Sequence, residues 1–69
     1  MSLAKQIRVE KGMSLEEVAK ALNISGGYLS QIEKGQRQIS AQRAEEIARV
    51  YDRHIDEIFL PTRYAVREV

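Results

Sequence analysis

Residues 14–35 contain the pattern of two short amphipathic helices separated by a tight turn, and this pattern limits the chain to few folds. Ser14 followed by Glu17 has the spacing of a capping box, which marks the start of a helix. Apolar residues then recur at helical spacing, two residues interrupt them, and Ser25 is suited to cap the next helix. Gly35 is suited to end that helix. The segment therefore predicts a helix, a turn and a second helix.

The rest of the chain extends this helical pattern on both sides. Apolar spacing predicts a first helix over residues 2–11, a fourth helix capped by Ser40, and a short fifth helix over residues 54–59 that ends before Pro61. With 69 residues and no cysteine, the chain has room for one domain and cannot form a disulfide scaffold. Its stability must then come from helix packing, from oligomerisation, or from both.

Residues 61–69 form a tail in this prediction, after a domain that covers residues 1–60. Tyr64 and Val66 are spaced by one residue, which is consistent with a short strand, although a frayed terminus explains the same residues equally well. If the tail is ordered, we expect it to lean on a partner subunit, because so small a domain has no spare surface to bury it.

The sequence disfavours several classes of function. It contains no nucleophile–base pair, no carboxylate dyad and no metal-ligand cluster, and its single histidine, His54, is an ordinary surface residue in this interpretation. We therefore predict no enzyme activity, no cofactor and no metal. No apolar run approaches the roughly 20 residues of a membrane span, and the chain does not start with a signal-peptide pattern. We expect a cytoplasmic protein with no membrane partner.

Charge is distributed unevenly along the chain, although the net charge is only +1. Residues 20–43 carry a net charge of +3, whereas residues 44–58 carry −3. A basic centre followed by an acidic segment suggests one face for a polyanion, but charges that only solvate the surface would give the same distribution. Because helix-turn-helix units place one helix in the major groove, DNA is the polyanion that the pattern favours.

A set of motifs with ungapped spacing carries a resemblance to a known family. The matching residues are Ile7, Arg8, Gly12, Met13, Ser14, Glu17, Val18, Ala19, Leu22, Ile24, Ser25, the run from Tyr28 to Gly35, Arg37, Ser40, Ile47, Ala48 and the run from Ile55 to Phe59. With these, the chain resembles the Cro/repressor-type helix-turn-helix family, also called the xenobiotic response element (XRE) family. The resemblance implies an all-α, five-helix domain that binds operator DNA, usually as a symmetric dimer.

The resemblance also assigns positions that face the bases. It places Gly26, Gly27, Ser30 and Gln31 there, with Tyr28 in support. Because glycine has no side chain for readout, Gln31 is the expected base reader, with adenine as its bidentate partner. The two glycines either let the backbone approach the DNA and leave room for Tyr28, or are tolerated in a first helical turn. Tyr28 either supports readout, or packs its ring on the end of helix two and reaches a phosphate with its hydroxyl.

Two further groups of residues follow from the resemblance. The expected phosphate contacts lie at helix N-termini and in the loop after helix three, at Ser14, Ser25, Lys34, Gln36, Arg37 and Gln38. Solvated loop charges remain the alternative for Lys34 and Arg37. In the family, an arginine and a glutamate at the positions of Arg8 and Glu33 form a largely buried ion pair between helices one and three. We expect the same structural pair here.

We therefore predict a sequence-specific DNA-binding transcriptional regulator. It would be a repressor that binds a pseudo-palindromic operator as a homodimer, with helix three in the major groove. The expected dimer residues are Phe59, Leu60, Tyr64 and Val66. The alternative is a module that binds a regulatory protein partner, such as an antitoxin or anti-repressor that keeps the fold. This alternative stays open because Gly26 and Gly27 have no side chain to read a base and the net charge is modest.

Overall fold

Five helices follow one another through the chain, as the apolar spacing predicts. The computed structural model describes residues 2–62 and 64–69; Met1 and Arg63, which falls in the predicted tail, lie outside the described residues. The helices are α1 (Leu3–Glu10), α2 (Leu15–Leu22), α3 (Gly26–Glu33), α4 (Ala41–Val50) and α5 (Ile55–Ile58). Within the described residues there is no continuous strand, so the predicted all-α, five-helix class is confirmed. None of these helices has the length and apolar character needed to span a membrane.

A serine caps each of the first four helices. Its Oγ accepts a hydrogen bond from the backbone N–H three residues later, at 3.1 or 3.2 Å, and the four caps are Ser2, Ser14, Ser25 and Ser40. At α2 the predicted capping box is confirmed, since the Ser14 N–H also donates to Glu17 Oε1 at 2.9 Å. This hydrogen bond stabilises the carboxylate and lowers the pKa of Glu17. The serines explain where the helices begin.

Residues in the left-handed conformation set where α2 and α3 end. Asn23, at φ 59°, closes α2 and forms the turn to α3, a conformation that asparagine tolerates better than most residues. Ile24 follows it and packs half-buried against the core, which anchors the turn from below. Gly35, at φ 74°, ends α3 as expected. Asn23 and Ile24 thus form the turn between α2 and α3, and Gly35 separates α3 from the segment that follows it.

One hydrophobic core holds the helices together. Its largest fully buried side chains are Val18, Leu29, Ile47, Tyr51, Ile58 and Phe59. α2 packs against both α3 and α4, and α4 packs against α5. Because α3 contributes Leu29 and Ile32 to this core, only its opposite face is available for a ligand.

The tail folds back onto its own domain. Phe59 and Val66 form an isolated antiparallel bridge, and Ser2 and Glu68 form a second one, so the two ends of the chain are joined. The Arg67 N–H donates to the Ile58 carbonyl at 2.7 Å, and the Arg67 carbonyl accepts from the Leu3 N–H at 2.8 Å. The backbone therefore pairs at single bridges, without forming a continuous strand.

This arrangement corrects two expectations. The domain does have surface to bury the tail, because Val66 is only 7% exposed and belongs to the same core as Phe59, which is 1% exposed. An ordered tail therefore does not need a partner subunit, because Val66 and Arg67 pair with Phe59 and Ile58 of the same chain. Phe59 and Val66 were expected at a dimer contact, but they have almost no surface to offer. Of the four expected residues, only Leu60, at 41% exposure, and the half-buried Tyr64 present side chains to solvent.

Candidate nucleic-acid interface

The outward face of α3 presents polar side chains above a well-packed inner face. Leu29, Ile32 and Glu33 are buried beneath the helix, whereas Gln31 is exposed and Ser30 is half-exposed. The Ser25 cap satisfies the N–H of Tyr28 at the start of α3. The first turn of the helix is thus ordered by its own cap, and the polar face is free of core packing.

The two glycines at the start of α3 have different surroundings. A Cβ atom at Gly27 would meet nothing within 4 Å, so the chain itself gives no packing reason for glycine there. A Cβ atom at Gly26 would lie 2.6 Å from Glu16 Oε1. The contact is with the far end of a flexible side chain, which could rotate away. The carboxylate of Glu16 therefore occupies the space that a side chain at residue 26 would fill.

The negative charge of Glu16 lies at the N-terminus of α3. The N-terminus of α3 has a partial positive charge and unpaired N–H groups, which attract phosphate. A carboxylate beside Gly26 offsets this attraction. Glu16 lies in the first turn of α2 and ten residues before Gly26, so no local spacing rule relates the two positions.

Arg37 reaches back from the loop after α3 to the expected base-reading residue. Its Nε donates a hydrogen bond to Gln31 Oε1 at 2.8 Å. The guanidinium carbon also lies 5.2 Å from the centroid of the Tyr28 ring, within the range of a cation–π contact. The Tyr28 ring itself packs half-buried against the core. Three residues that the sequence analysis treated separately therefore form one cluster, which we call the Arg37 cluster: Tyr28, Gln31 and Arg37.

The other residues expected to contact phosphate are all exposed. Lys34, Gln36 and Gln38 are exposed in the segment that follows α3, and the buried side chain of Ile39 anchors that segment to the core. The Gln36 N–H donates to the Gln31 carbonyl at 2.8 Å, which holds the segment close to the end of α3. Ser14 and Ser25 are both exposed, with Oγ accepting the capping hydrogen bond.

The structure brings Arg8 and Glu33 together behind α3. Arg8 Nε donates to Glu33 Oε2 at 2.7 Å, and Arg8 Nη2 donates to Glu33 Oε1 at 3.2 Å. Arg8 Nη1 also donates to the Met13 carbonyl at 3.1 Å, in the loop before α2. The hydrogen bonds to Glu33 raise the pKa of Arg8. One guanidinium thus ties α1, the start of α2 and the end of α3 into a fixed arrangement.

A buried hydroxyl lies beside this ion pair. Tyr51 is fully buried, and its hydroxyl has no hydrogen-bond partner among the described residues. Burial raises the pKa of Tyr51, the nearby negative charge of Glu33 raises it further, and Arg8 has the opposite effect. Helical spacing after Ser40 is consistent with a buried Tyr51, but spacing does not show what surrounds a hydroxyl.

Comparison with known proteins bears on this arrangement. A family model described as helix-turn-helix matches residues 5–58, which is more than half of the chain. The matched range includes all of α2, α3, α4 and α5, the Arg37 cluster and the Arg8–Glu33 pair. No curated protein and no solved structure matches the chain.

Proposed function

Because the chain belongs to the helix-turn-helix family of the Cro/repressor (XRE) type, we propose that this DNA-binding regulator is a repressor that recognises a specific operator as a homodimer. In this proposal α3 enters the major groove with its N-terminal half, as second helices of such units do. The protein would act in the cytoplasm, without enzyme activity and without a cofactor.

The observation that carries the proposal is the division of α3 into two faces. Its inner face is fixed by the core and by the Glu33 ion pair, while its outer face presents Gln31 and Ser30. The guanidinium of Arg37, from the loop after α3, is hydrogen-bonded to Gln31 on that face. A rigid helix with hydrogen-bonding side chains on its only free face can read base edges in a groove that admits one helix.

Phosphate contacts would position α3 without reading the sequence. We assign them to the N-termini of α2 and α3, at Ser14 and Ser25, and to Lys34, Gln36 and Gln38. Arg37 is placed close enough to the outer face of α3 to contact either a phosphate or a base. Because Arg37 donates a hydrogen bond to Gln31, the expected base reader, a contact between Arg37 and a base should be tested.

The homodimer would place two copies of α3 about 34 Å apart, one turn of DNA. Leu60 and Tyr64 remain candidates for the contact between subunits, because each exposes apolar surface near the end of the chain. Phe59 and Val66 are left out of this proposal since they are buried in the core of one subunit.

A second candidate function is a module that binds a protein partner, such as an antitoxin or an anti-repressor. The start of α3 favours it, because Gly26 and Gly27 offer no side chain and Glu16 adds a negative charge. A regulator of this kind would keep the fold but show little attraction for a polyanion.

Selection of bound duplexes from a random pool distinguishes the two functions. We expect a palindromic motif, and an affinity for the recovered site that falls steeply as salt is raised, because phosphate contacts release counterions. Gln31→Ala should blur one base position in each half-site, while Lys34→Ala should weaken all sites equally. If the folded protein enriches no motif, the partner-binding function is favoured instead. Sedimentation of the protein with and without the recovered duplex tests the homodimer.

A further inference from the structure

We infer that Arg37 is a positioning residue for Gln31, and that together they select guanine at the base position read by Gln31. This inference rests on the proposed function and names the base that the interface recognises. A glutamine without such a neighbour would be expected to select adenine instead. The preference for guanine rests on the orientation of the Gln31 side-chain amide.

The orientation of the Gln31 amide follows from the chemistry of its neighbour. Arginine has donors and no acceptors, so the amide must present its oxygen to Arg37 Nε, as the 2.8 Å contact shows. The two N–H groups of Nε2 then point away from Arg37. The guanidinium is itself held from a second direction, by the Tyr28 ring at 5.2 Å. The cluster is therefore ordered before DNA arrives.

Most free hydrogen-bonding groups of Gln31 and Arg37 are donors. Gln31 Nε2 and the two Nη atoms of Arg37 donate to no residue among those described. Guanine presents two acceptors in the major groove, N7 and O6, whereas adenine presents one acceptor and one donor. A donor-rich, positively charged cluster thus complements guanine best. Adenine ranks second, because Gln31 Oε1 keeps one lone pair, and cytosine ranks last, because its edge presents an amino donor.

A glutamine released from Arg37 would behave differently. Its amide could rotate to give Oε1 to the adenine amino group and Nε2 to adenine N7, the usual bidentate pairing. Removing the Arg37 side chain should therefore change which base is preferred. If Arg37 contacts only phosphate, its removal should weaken binding to every base equally.

The test uses four duplexes that differ only at the base position blurred by Gln31→Ala. We measure the affinity of the wild type, Arg37→Met and Lys34→Met for each duplex. The methionine keeps an apolar stem and removes the charge, so Lys34→Met controls for the lost cation in the same region. We expect the wild type to bind guanine about tenfold more tightly than adenine. Arg37→Met should reduce this ratio to one or below, and Lys34→Met should keep it.

A preference for adenine in the wild type would overturn the inference, as would a guanine preference that survives in Arg37→Met. NMR of the free protein provides a readout without DNA, because the Arg37 Nε–H resonance should shift and exchange faster in Gln31→Ala. An unchanged resonance would also overturn the positioning role. If the folded wild type enriches no motif at all, the proposed function fails first, and this outcome is distinct from a motif with another base. Melting curves confirm that each variant is folded.

Discussion

Arg8 and Glu33 join α1 to α3 through two hydrogen bonds, of 2.7 and 3.2 Å, from one guanidinium to one carboxylate. The side chains are only 12% and 5% exposed, so solvent screens the pair weakly. A third hydrogen bond links the same guanidinium to the loop before α2. The orientation of the outer face of α3 therefore depends on a contact made on its inner side.

Glu33→Ala should destabilise the domain by about 3 kcal/mol or more, because it leaves the Arg8 charge buried without its partner. Urea unfolding followed by circular dichroism measures this loss. Glu45→Ala is the matched control, since the Glu45–Arg49 pair is 60% and 75% exposed and its removal should cost less than about 1 kcal/mol. Equal stability of the two variants would show that the buried pair is not required.

Tyr51 should make stability depend on pH in the alkaline range. Its pKa is raised in the folded domain by burial, so the folded state holds the proton above the ordinary tyrosine value of about 10, where the unfolded chain releases it. The contribution of Tyr51 to the free energy of unfolding is therefore fully present below about pH 10 and decreases as pH rises further. The difference in unfolding free energy between wild type and Tyr51→Phe should be constant near neutral pH and change only above about pH 10.

At neutral pH, Tyr51→Phe itself should cost little. The hydroxyl has no partner among the described residues, so its removal sacrifices no hydrogen bond and can stabilise the domain by up to about 1 kcal/mol. A loss of more than about 1 kcal/mol at pH 7 would reveal a hydrogen bond to this hydroxyl in solution.

Val66→Ala tests whether the tail is part of the domain. Val66 is 7% exposed in the common core, so losing two carbon atoms there should cost about 2 kcal/mol of unfolding free energy. Val69→Ala is the matched control, since Val69 is 72% exposed and the same change should cost less than about 0.5 kcal/mol. A Val66 variant as stable as the Val69 variant would mean that the tail does not pack on the domain in solution.

The sequence predicts the features of this protein that depend on neighbouring residues. Serine caps, helical spacing and residues suited to positive φ act within one or two turns, which explains why the five helices were foreseen. The packing of the tail on the domain could not be predicted in this way, because the bridge between Ser2 and Glu68 joins opposite ends of the chain. The link from Arg37 to Gln31 spans six residues across the end of a helix, where helical periodicity no longer relates positions.

The close approach of Glu16 to Gly26 also joins two different helices, and we expect it to affect DNA binding. The Glu16 carboxylate lies beside Gly26, at the helix N-terminus that is proposed to approach DNA. Glu16→Gln should therefore tighten binding to both the recovered site and a random duplex, by about fivefold at low salt, since one repulsive charge near a phosphate is worth about 1 kcal/mol in water. The gain should shrink as ionic strength rises.

Glu45→Gln supplies the control for this change of charge. It removes the same charge from an exposed site on α4 and should change affinity for either duplex by less than twofold. Fluorescence anisotropy at three salt concentrations measures the affinity of the wild type and of both variants for each of the two duplexes. If Glu16→Gln weakens binding to the recovered site and leaves the random duplex unchanged, the carboxylate accepts a hydrogen bond from a base amino group. Glu16 would then be a reader of sequence rather than a source of repulsion.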